Sequence, residues 1–270
     1  MNLEQMDFIS HDLLKKLSLL GRSIVNISTK SITGNYRELN EDRIGVFKNK
    51  TDQMLLLVAD GMGGHEKGEV AAQFVIDKIE DTWINSNFFN EQELEPFLRD
   101  LVIKTNRALY LYSNEETTEH NMGTTLAMAV ITDESIYVLN IGDSRVYALQ
   151  KREILQVTKD HTFVNMLVES GEITQEEAFV HPQRNIVTKA LGTTRLVQPD
   201  VFKLRNRQYD YLLLASDGLT DKMNEETLHN IVYKGNDVDR ITEDLVNEAV
   251  SLKSKDNISV ILAQLKDGRT

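Results

Sequence analysis

Two aspartates, each followed by a glycine, come at the ends of apolar stretches in this chain. Asp60 follows residues 54–59 and opens the run Asp-Gly-Met-Gly-Gly-His, and Asp217 comes just after residues 211–215 and precedes Gly218. We expect each carboxylate to leave the end of a buried strand and enter a turn, with both acids aimed at one point. A single Asp-Gly pair usually marks only a turn. Two of them favour a metal site, because gathered carboxylates repel each other unless a cation holds them together.

Further acids stand at or just beyond the boundaries of predicted strands: Glu41, Asp42, Asp143 and Asp256. The chain has no cysteine, and its histidines show no pairing at metal-ligand spacing. Ligands that are all oxygen select hard cations such as Mg²⁺ or Mn²⁺. Two such ions close together polarise a phosphoryl oxygen and hold a bridging water as hydroxide, which allows hydrolysis without a nucleophile from the protein.

Two nearby residues complete this hypothesis. Gly61 leaves its backbone carbonyl uncrowded by a side chain, so that carbonyl is placed to reach a metal ion. Arg37 precedes Glu41 by four residues and is a candidate clamp for phosphate, because its planar guanidinium binds phosphate oxygens two at a time. Each aspartate taken alone is better explained by a turn or a cap, but the joint recurrence of the acids favours a metal site.

Composition narrows the class of protein. With 270 residues, 41% of them hydrophobic and 27% charged, the chain has the make-up of an ordinary globular protein. No stretch approaches the roughly 18 continuous apolar residues of a membrane span. The net charge of −12 argues against general nucleic-acid binding, which needs a cationic surface. The same charge would repel phosphorylated substrates unless a bound divalent metal reversed it locally.

The absence of cysteine excludes a second group of mechanisms. Phosphatases and proteases that act through a thiolate cannot be built from this chain, and a protein without cysteine suits a reducing cytoplasm. Residues 1–7 carry acids where a signal peptide carries bases, so we expect no export signal and a cytoplasmic protein.

The order of the predicted elements indicates an α+β fold. Strand patterns cover residues 22–32, 43–48, 54–59, 124–132, 135–141, 145–149, 153–157, 199–205, 210–215 and 257–265. Helical patterns cover residues 66–85, 91–113, 224–233 and 237–252. Strands in meanders with helices in blocks favour a four-layer α-β-β-α sandwich, in which helices flank two packed antiparallel sheets.

We predict one catalytic domain over residues 21–270, preceded by an extension over residues 1–20. Apolar residues recur in the extension at the three- and four-residue spacing of an amphipathic helix: Leu3, Met6, Ile9, Leu13, Leu17 and Leu20. The first interpretation is a helix packed on its own domain, and the alternative is contact with a partner or a membrane surface.

The chain resembles the metal-dependent serine/threonine protein phosphatases of the type 2C (PPM) family, of the compact bacterial kind. The matching motifs follow one another in the family's order and span about residues 22–265: Arg37-Glu38-Leu39-Asn40-Glu41-Asp42, Asp60-Gly61-Met62-Gly63-Gly64-His65, Gly123-Thr124-Thr125, Asn140-Ile141-Gly142-Asp143-Ser144-Arg145, Lys159-Asp160-His161-Thr162, His181-Pro182 with Ala190-Leu191-Gly192, Ala215-Ser216-Asp217-Gly218-Leu219 and Asp256-Asn257-Ile258-Ser259. Each motif alone is weakly specific, whereas eight in order are highly specific.

The resemblance implies a role for each candidate residue. Asp60 would bridge two Mn²⁺ or Mg²⁺ ions, one of which the Gly61 carbonyl would also bind. Asp217 and Asp256 would complete the shell of the first ion, and Glu41 would reach the second directly or through water. Asp42 would orient metal-bound water, and Asp143 with Asp217 would hold a third and weaker ion. Arg37 would bind the substrate phosphate. Asn257 would fix the turn beside a ligand.

One position departs from the animal members of the family. Those carry a histidine two residues after the bridging aspartate, proposed as the acid that protonates the leaving alkoxide, where this chain has Met62. Methionine cannot donate a proton. The resemblance leaves a metal-bound water at the third site or another histidine as the acid, and His65, His161 and His181 are candidates by presence alone.

Residues 161–191 correspond to the family's variable flap beside the cleft. Within them, residues 169–174 read as a helix end, a glycine turn and the start of a capped helix. The flap is either a plain cover over the sheet or a mobile lid that touches the phosphoprotein substrate.

Three other functions stay open beside a phosphatase that opposes a bacterial serine/threonine kinase. A pseudophosphatase would have a damaged set of carboxylates, but all five acids that the resemblance requires around the two principal ions are present here. A phosphatase acting on an anti-sigma antagonist would differ by its substrate and usually carries sensor domains. A small-molecule phosphatase lacks support because no motif for an enclosing pocket is recognisable. The expected partners are phosphorylated proteins, and the resemblance favours a monomer.

Overall fold

A computed structural model describes residues 26–63, 67–87, 90–116, 122–235 and 237–265 of the chain. The predicted N-terminal helix and His65 lie outside these ranges, so the extension over residues 1–20 and the domain boundary stay predictions. The strands are β1 (Asn26–Ile32), β2 (Asp42–Lys48), β3 (Met54–Met62), β4 (Gly123–Thr124), β5 (Leu126–Ile131), β6 (Ser135–Ile141), β7 (Arg145–Gln150), β8 (Glu153–Gln156), β9 (Asp200–Arg205), β10 (Tyr211–Ala215) and β11 (Ile258–Gln264).

The strands form two antiparallel sheets. One sheet has the order β1-β11-β10-β7-β8, and the other has the order β2-β3-β5-β6-β9, with β4 pairing beside the end of β3. Every strand pair among the described residues is antiparallel. Since the connections within each sheet include short hairpins, the antiparallel meanders expected from the sequence are confirmed.

Helices cover the outer face of each sheet. Their bounds are α1 (Lys67–Ile84), α2 (Glu91–Leu111), α3 (Phe163–Glu169), α4 (Gln175–Val180), α5 (Asp217–Thr220), α6 (Glu225–Lys234) and α7 (Val238–Ser251). Helices α1 and α2 pack on the six-stranded sheet, and α6 and α7 pack on the five-stranded sheet. The predicted four-layer α-β-β-α sandwich is therefore confirmed. No helix in the described ranges is long and apolar enough to cross a membrane.

Strand β3 shows why the apolar runs in the sequence are continuous rather than alternating. Leu55, Leu57 and Ala59 face helices α1 and α2, while Leu56 and Val58 face the second sheet, and all five are fully buried. A strand buried on both faces needs apolar residues at every position. The carboxylate of Asp60 is thus held on a strand that is packed on both faces.

The flap over residues 161–191 has the local structure that its sequence predicts. Helix α3 ends before Gly171, whose φ of +77° suits glycine. Helix α4 then begins with a complete capping box formed by Thr174 and Glu177.

A candidate metal centre between the sheets

Asp42 and Asp60 lie directly opposite each other in the ladder between β2 and β3. Asp42 is the first residue of β2, whereas Asp60 lies inside β3, which continues to Met62. The expectation that Asp60 enters a glycine turn is therefore wrong. The strand continues because Gly61 and Met62 pair with the two residues of β4, a pairing that is too short to be recognised in sequence.

Glycine is required at position 61 by the close approach of helix α1. A Cβ atom on Gly61 would lie 2.0 Å from the Gly68 carbonyl oxygen, and one on Gly68 would lie 2.5 Å from Oε1 of Glu41. The Gly61 N–H donates to the Glu41 carbonyl at 3.2 Å. Two glycines in contact thus bring the Glu41 side chain beside the end of β3.

Asp217 and Asp256 approach from the five-stranded sheet. Asp217 is the first residue of the four-residue helix α5, and Asp256 lies two residues before β11. A Cβ on Gly218 would lie only 1.9 Å from the Asn257 carbonyl oxygen, so this glycine also permits a backbone contact between two acid-bearing segments. The Ser254 hydroxyl supports that contact by donating to the Gly218 carbonyl at 2.7 Å.

Asn257 joins the Asp256 segment to the loop that carries Glu41. Its side-chain amide donates to the carbonyls of Thr33 and Leu39 at 2.9 and 2.8 Å, and its side-chain oxygen accepts from the Glu41 N–H at 2.9 Å. The role implied for Asn257 in the sequence analysis was to fix its own turn, whereas its side chain holds a loop more than 200 residues away in the sequence.

Buried hydroxyl groups connect the acids of the two sheets. Ser216 donates to Asp42 Oδ2 at 2.7 Å and accepts from the Ser259 N–H at 3.1 Å. The hydroxyls of Thr125 and Ser144 lie 2.7 Å apart, and Thr125 also accepts from the N–H of Asp60 at 3.0 Å. Sequence reasoning did not assign these positions, and their only signal was their place inside the family motifs.

Asp143 lies in the turn between β6 and β7, as expected. The turn is anchored by Arg145, whose guanidinium donates to both carboxylate oxygens of Asp160. Gly142 has a φ of +99° and packs against Thr125, where a Cβ would lie 2.6 Å from its methyl group. The turn thus contacts the residue just before the flap and Thr125, whose hydroxyl binds the N–H of Asp60.

Burial and mutual repulsion raise the pKa values of these acids. Burial raises the pKa of Asp143 to about 7, and the charge of Asp160 adds to the effect. Burial raises the pKa of Asp42 to about 6, although the hydrogen bond from Ser216 opposes the shift. The pKa values of Asp60 and Asp217 are raised well above the ordinary value by burial and by the charges of the neighbouring aspartates. A cation would remove this repulsion.

Three buried oxygens show that the site fits a hard cation. Glu41 Oε1, Asp42 Oδ1 and Asp217 Oδ1 have no hydrogen-bond partner among the described residues. Buried polar atoms are normally paired, so unpaired oxygens on three clustered acids indicate a missing ligand. Among the described residues, no group of three or more His, Asp or Glu side chains is close enough to hold a metal ion as it stands. The fit to a hard cation therefore rests on the unpaired oxygens and on the raised pKa values.

The comparisons with known proteins identify the family. The model of the family described as protein phosphatase 2C matches residues 35–256. The chain belongs to the protein phosphatase 2C family. It is 37% identical over 232 residues, 86% of this chain and 92% of the relative, to the serine/threonine phosphatase stp of Listeria welshimeri.

Solved structures of phosphatases show the same fold. The crystal structure of serine/threonine phosphatase Stp1 from Staphylococcus aureus has a TM-score of 0.87 and 42% identity, and the match covers 91% of this chain and 96% of that one. The catalytic domain of the serine/threonine protein phosphatase PstP, in complex with two manganese ions, has a TM-score of 0.78 and 31% identity, with 91% and 100% covered. The phosphatase 2C family is metal-dependent, in agreement with the acids described above.

In this phosphatase 2C chain Arg37 lies at the edge of the acid group. Its guanidinium donates to Asp256 Oδ2 at 2.7 Å and to the Lys255 carbonyl at 3.3 Å, and its side chain is about half exposed, at 46%. Although partial burial opposes the shift, the hydrogen bond and charge of Asp256 raise the pKa of Arg37 further. The arginine is therefore near the predicted metal ligands and open to an incoming anion.

The two described histidines that are candidates for the acid both bind backbone groups. His161 Nδ1 accepts from the Gly142 N–H at 3.0 Å, and His181 Nδ1 accepts from the Gln183 N–H at 3.1 Å. Neither contact involves one of the predicted metal ligands. The charges of Asp42, Asp143, Asp217 and Asp256 all raise the pKa of Asp60, so the five aspartates lie near one another, and Glu41 Oε1 lies beside Gly68 next to the end of β3.

Proposed function

We propose that this phosphatase 2C protein hydrolyses phosphoserine and phosphothreonine monoesters on proteins with the help of Mn²⁺ or Mg²⁺. The observation that carries the proposal is the set of unpaired buried oxygens on Glu41, Asp42 and Asp217. Relatives that share most of the chain's length are named serine/threonine phosphatases, which supports this substrate class. An opposing bacterial serine/threonine kinase is the expected source of the phosphoprotein.

The proposed ligands are oxygen atoms from both sheets. Asp60 and the Gly61 carbonyl, Asp217, Asp256 and Glu41 would hold two ions, and Asp143 with Asp217 would hold a third. When bound, such ions supply Lewis acidity toward a phosphoryl oxygen and make a coordinated water more acidic. The chain contributes the fixed positions of the carboxylates and a partly dry environment, which strengthens every charge interaction there.

Arg37 and Asp42 have distinct proposed roles. Arg37 would exchange its contact with Asp256 for two oxygens of the substrate phosphate, because the guanidinium fork suits phosphate as well as carboxylate. Asp42 has one oxygen bound by Ser216 and one oxygen free. The free oxygen would accept a proton from an attacking water and hold that water in line.

The test is phosphate release from a phosphothreonine peptide with Mn²⁺, with excess chelator, and with the Asp60→Asn protein. We expect chelation to abolish turnover and Asp60→Asn to lower kcat/KM by more than about 100-fold, beyond the usual cost of losing an outer-sphere partner. Asp244→Asn is the matched control, since Asp244 pairs with Arg240 on the surface of α7. Turnover that survives in Asp60→Asn without metal would contradict the proposal. A folded wild-type protein that binds Mn²⁺ but releases no phosphate would support the pseudophosphatase instead.

A further inference from the structure

His161 and Gly142 form two hydrogen bonds with each other. The Gly142 N–H donates to His161 Nδ1 at 3.0 Å, and the His161 N–H donates to the Gly142 carbonyl at 2.9 Å. Gly142 is directly followed by Asp143. His161, the first residue of the flap, therefore binds the turn that carries Asp143. One of the two hydrogen bonds depends on the histidine side chain.

The ring of His161 is held on its other side as well. Its Nε2 lies 3.3 Å from Asp200 Oδ2, and Lys189 donates to the other oxygen of Asp200 at 3.1 Å. Because Nδ1 accepts from Gly142, the proton of the neutral ring lies on Nε2 and points to Asp200. Burial and the charge of Lys189 lower the pKa of His161, although Asp200 opposes the shift, so the ring stays in the neutral form that can accept.

The turn is also held by contacts that do not use the His161 side chain, such as the Asn140 amide, which donates to the Gly142 carbonyl at 3.2 Å. Gly142 adopts a φ of +99°, and Asp143 beside it is buried. On the far side, Ser144 contacts Thr125, which binds the N–H of Asp60. Without the His161 side chain the Gly142 N–H would lose the acceptor described here, whereas the Gly142 carbonyl would keep its contacts and Arg145 would keep its contact with Asp160.

We propose that His161 is a positioning residue for Asp143: by binding the Gly142 N–H it fixes the carboxylate of Asp143 toward Asp217 and sets the affinity of the cation site that these two acids share. The inference rests on the proposed metal role of Asp143. It also removes His161 from the candidates for the proton donor, because Gly142 occupies Nδ1 and Asp200 occupies Nε2.

Two amide substitutions separate this role from simple packing. In His161→Asn the side-chain oxygen stands as many bonds from the backbone as Nδ1 does, so it can accept from Gly142. In His161→Gln the amide stands as far out as Nε2, where its NH2 group can donate to Asp200, and its oxygen no longer occupies the position of Nδ1. His229→Asn is the control, since His229 lies on α6 and contacts the Gln150 carbonyl.

The first measurement is calorimetric titration of the metal-free proteins with Mn²⁺, with Asp143→Asn as the reference for a lost site. We expect His161→Gln to weaken the weakest Mn²⁺ site by about 10- to 100-fold, the usual effect of an outer-sphere change. His161→Asn and His229→Asn should titrate like the wild type. The second measurement is hydrogen exchange of the Gly142 amide without metal, which should be faster in His161→Gln alone.

Three results would overturn the inference: wild-type titration by His161→Gln, equal losses in the two amide variants, or an Asp143→Asn protein that binds every Mn²⁺ ion as the wild type does. If His161→Gln does not fold, the His161→Asn protein still tests the inference. A folded His161→Asn protein whose Gly142 amide has lost its protection from hydrogen exchange would overturn the inference. A wild-type protein that binds no Mn²⁺ at all contradicts the proposed function itself, which distinguishes the two failures.

Discussion

The two halves of the acid centre are held in different ways. Asp42 and Asp60 lie in the ladder between β2 and β3, where backbone hydrogen bonds fix their register. Asp217 and Asp256 lie outside the strands, in a four-residue helix and a loop. The ladder-held pair depends on the whole sheet, whereas the loop-held pair depends on a few close contacts. Local substitutions should therefore displace the second pair without unfolding the first.

The largest effect is expected from Gly218→Ala, because Gly218 directly follows Asp217 and packs against the segment that carries Asp256. The new Cβ would lie 1.9 Å from the Asn257 carbonyl oxygen, a backbone atom that cannot move aside alone. We expect a loss of about 3 kcal/mol or more in the free energy of unfolding, at the upper end of overpacking effects, together with loss of phosphatase activity. Urea unfolding and phosphopeptide turnover measure the two losses.

Gly171→Ala is the control for that substitution. Gly171 has a positive φ, unlike Gly218, and a Cβ there meets no atom within 4 Å. Gly171→Ala should lower the free energy of unfolding by only about 1–2 kcal/mol, because alanine is strained in a left-handed conformation, and it should leave turnover intact. Equal effects of the two substitutions would contradict the importance of the Gly218 contact.

A smaller effect is expected from Asn257→Ala, which removes the link between the loop-held pair and the Glu41 loop. The side chain is 3% exposed and makes hydrogen bonds to Thr33, Leu39 and Glu41. Leaving those buried groups unpaired should cost roughly 1–3 kcal/mol in urea unfolding and should weaken Mn²⁺ binding.

Asn26→Ala gives the matched comparison for Asn257→Ala. Asn26 is exposed and shares one side-chain hydrogen bond with Gln264. Asn26→Ala should change the free energy of unfolding by no more than about 0.5 kcal/mol, as most surface substitutions do. If Asn257→Ala were as mild, the loop-held pair would not depend on this amide.

The smallest effect is expected on the pH dependence of the free energy of unfolding of the metal-free protein. It compares the contribution of Asp143 with that of Asp42 in the β2–β3 ladder. Folding raises the pKa of Asp143 from 3.8 to about 7, so the folded state binds more protons than the unfolded state below that value. The resulting stability is complete below pH 4 and is lost as the pH rises through 7. Asp42 has a pKa of about 6, so its contribution to stability is lost at a lower pH than that of Asp143.

Thermal unfolding between pH 6.5 and 8.5 in chelator measures this dependence. His161, with a lowered pKa, is neutral in both states over most of this range and contributes little slope. We expect the wild-type stability to fall as the pH rises, by at most about 1.4 kcal/mol per pH unit for each proton released. Asp143→Asn should flatten the curve more than Asp42→Asn does. A rising wild-type curve would show that the buried acids do not titrate in this way.

Most of the layered fold could be predicted from local patterns. Continuous apolar runs such as residues 54–59 and helical spacing in residues 66–85 marked the elements to within a few residues. Helix α5 and strand β4 were missed, because four and two residues are too short to show a period. The flap helices were recognisable from the glycine turn and the capping residues.

The sequence by itself determined the types of residue in the acid centre, because carboxylates at strand boundaries in a chain without cysteine leave few other chemistries. Only the tertiary structure decided how they are held. Gly61 faces Gly68, Asn257 binds the Glu41 loop, and His161 grips the turn before Asp143. These contacts join segments far apart in the chain, and a local pattern carries no information about which backbone atom a distant side chain will meet.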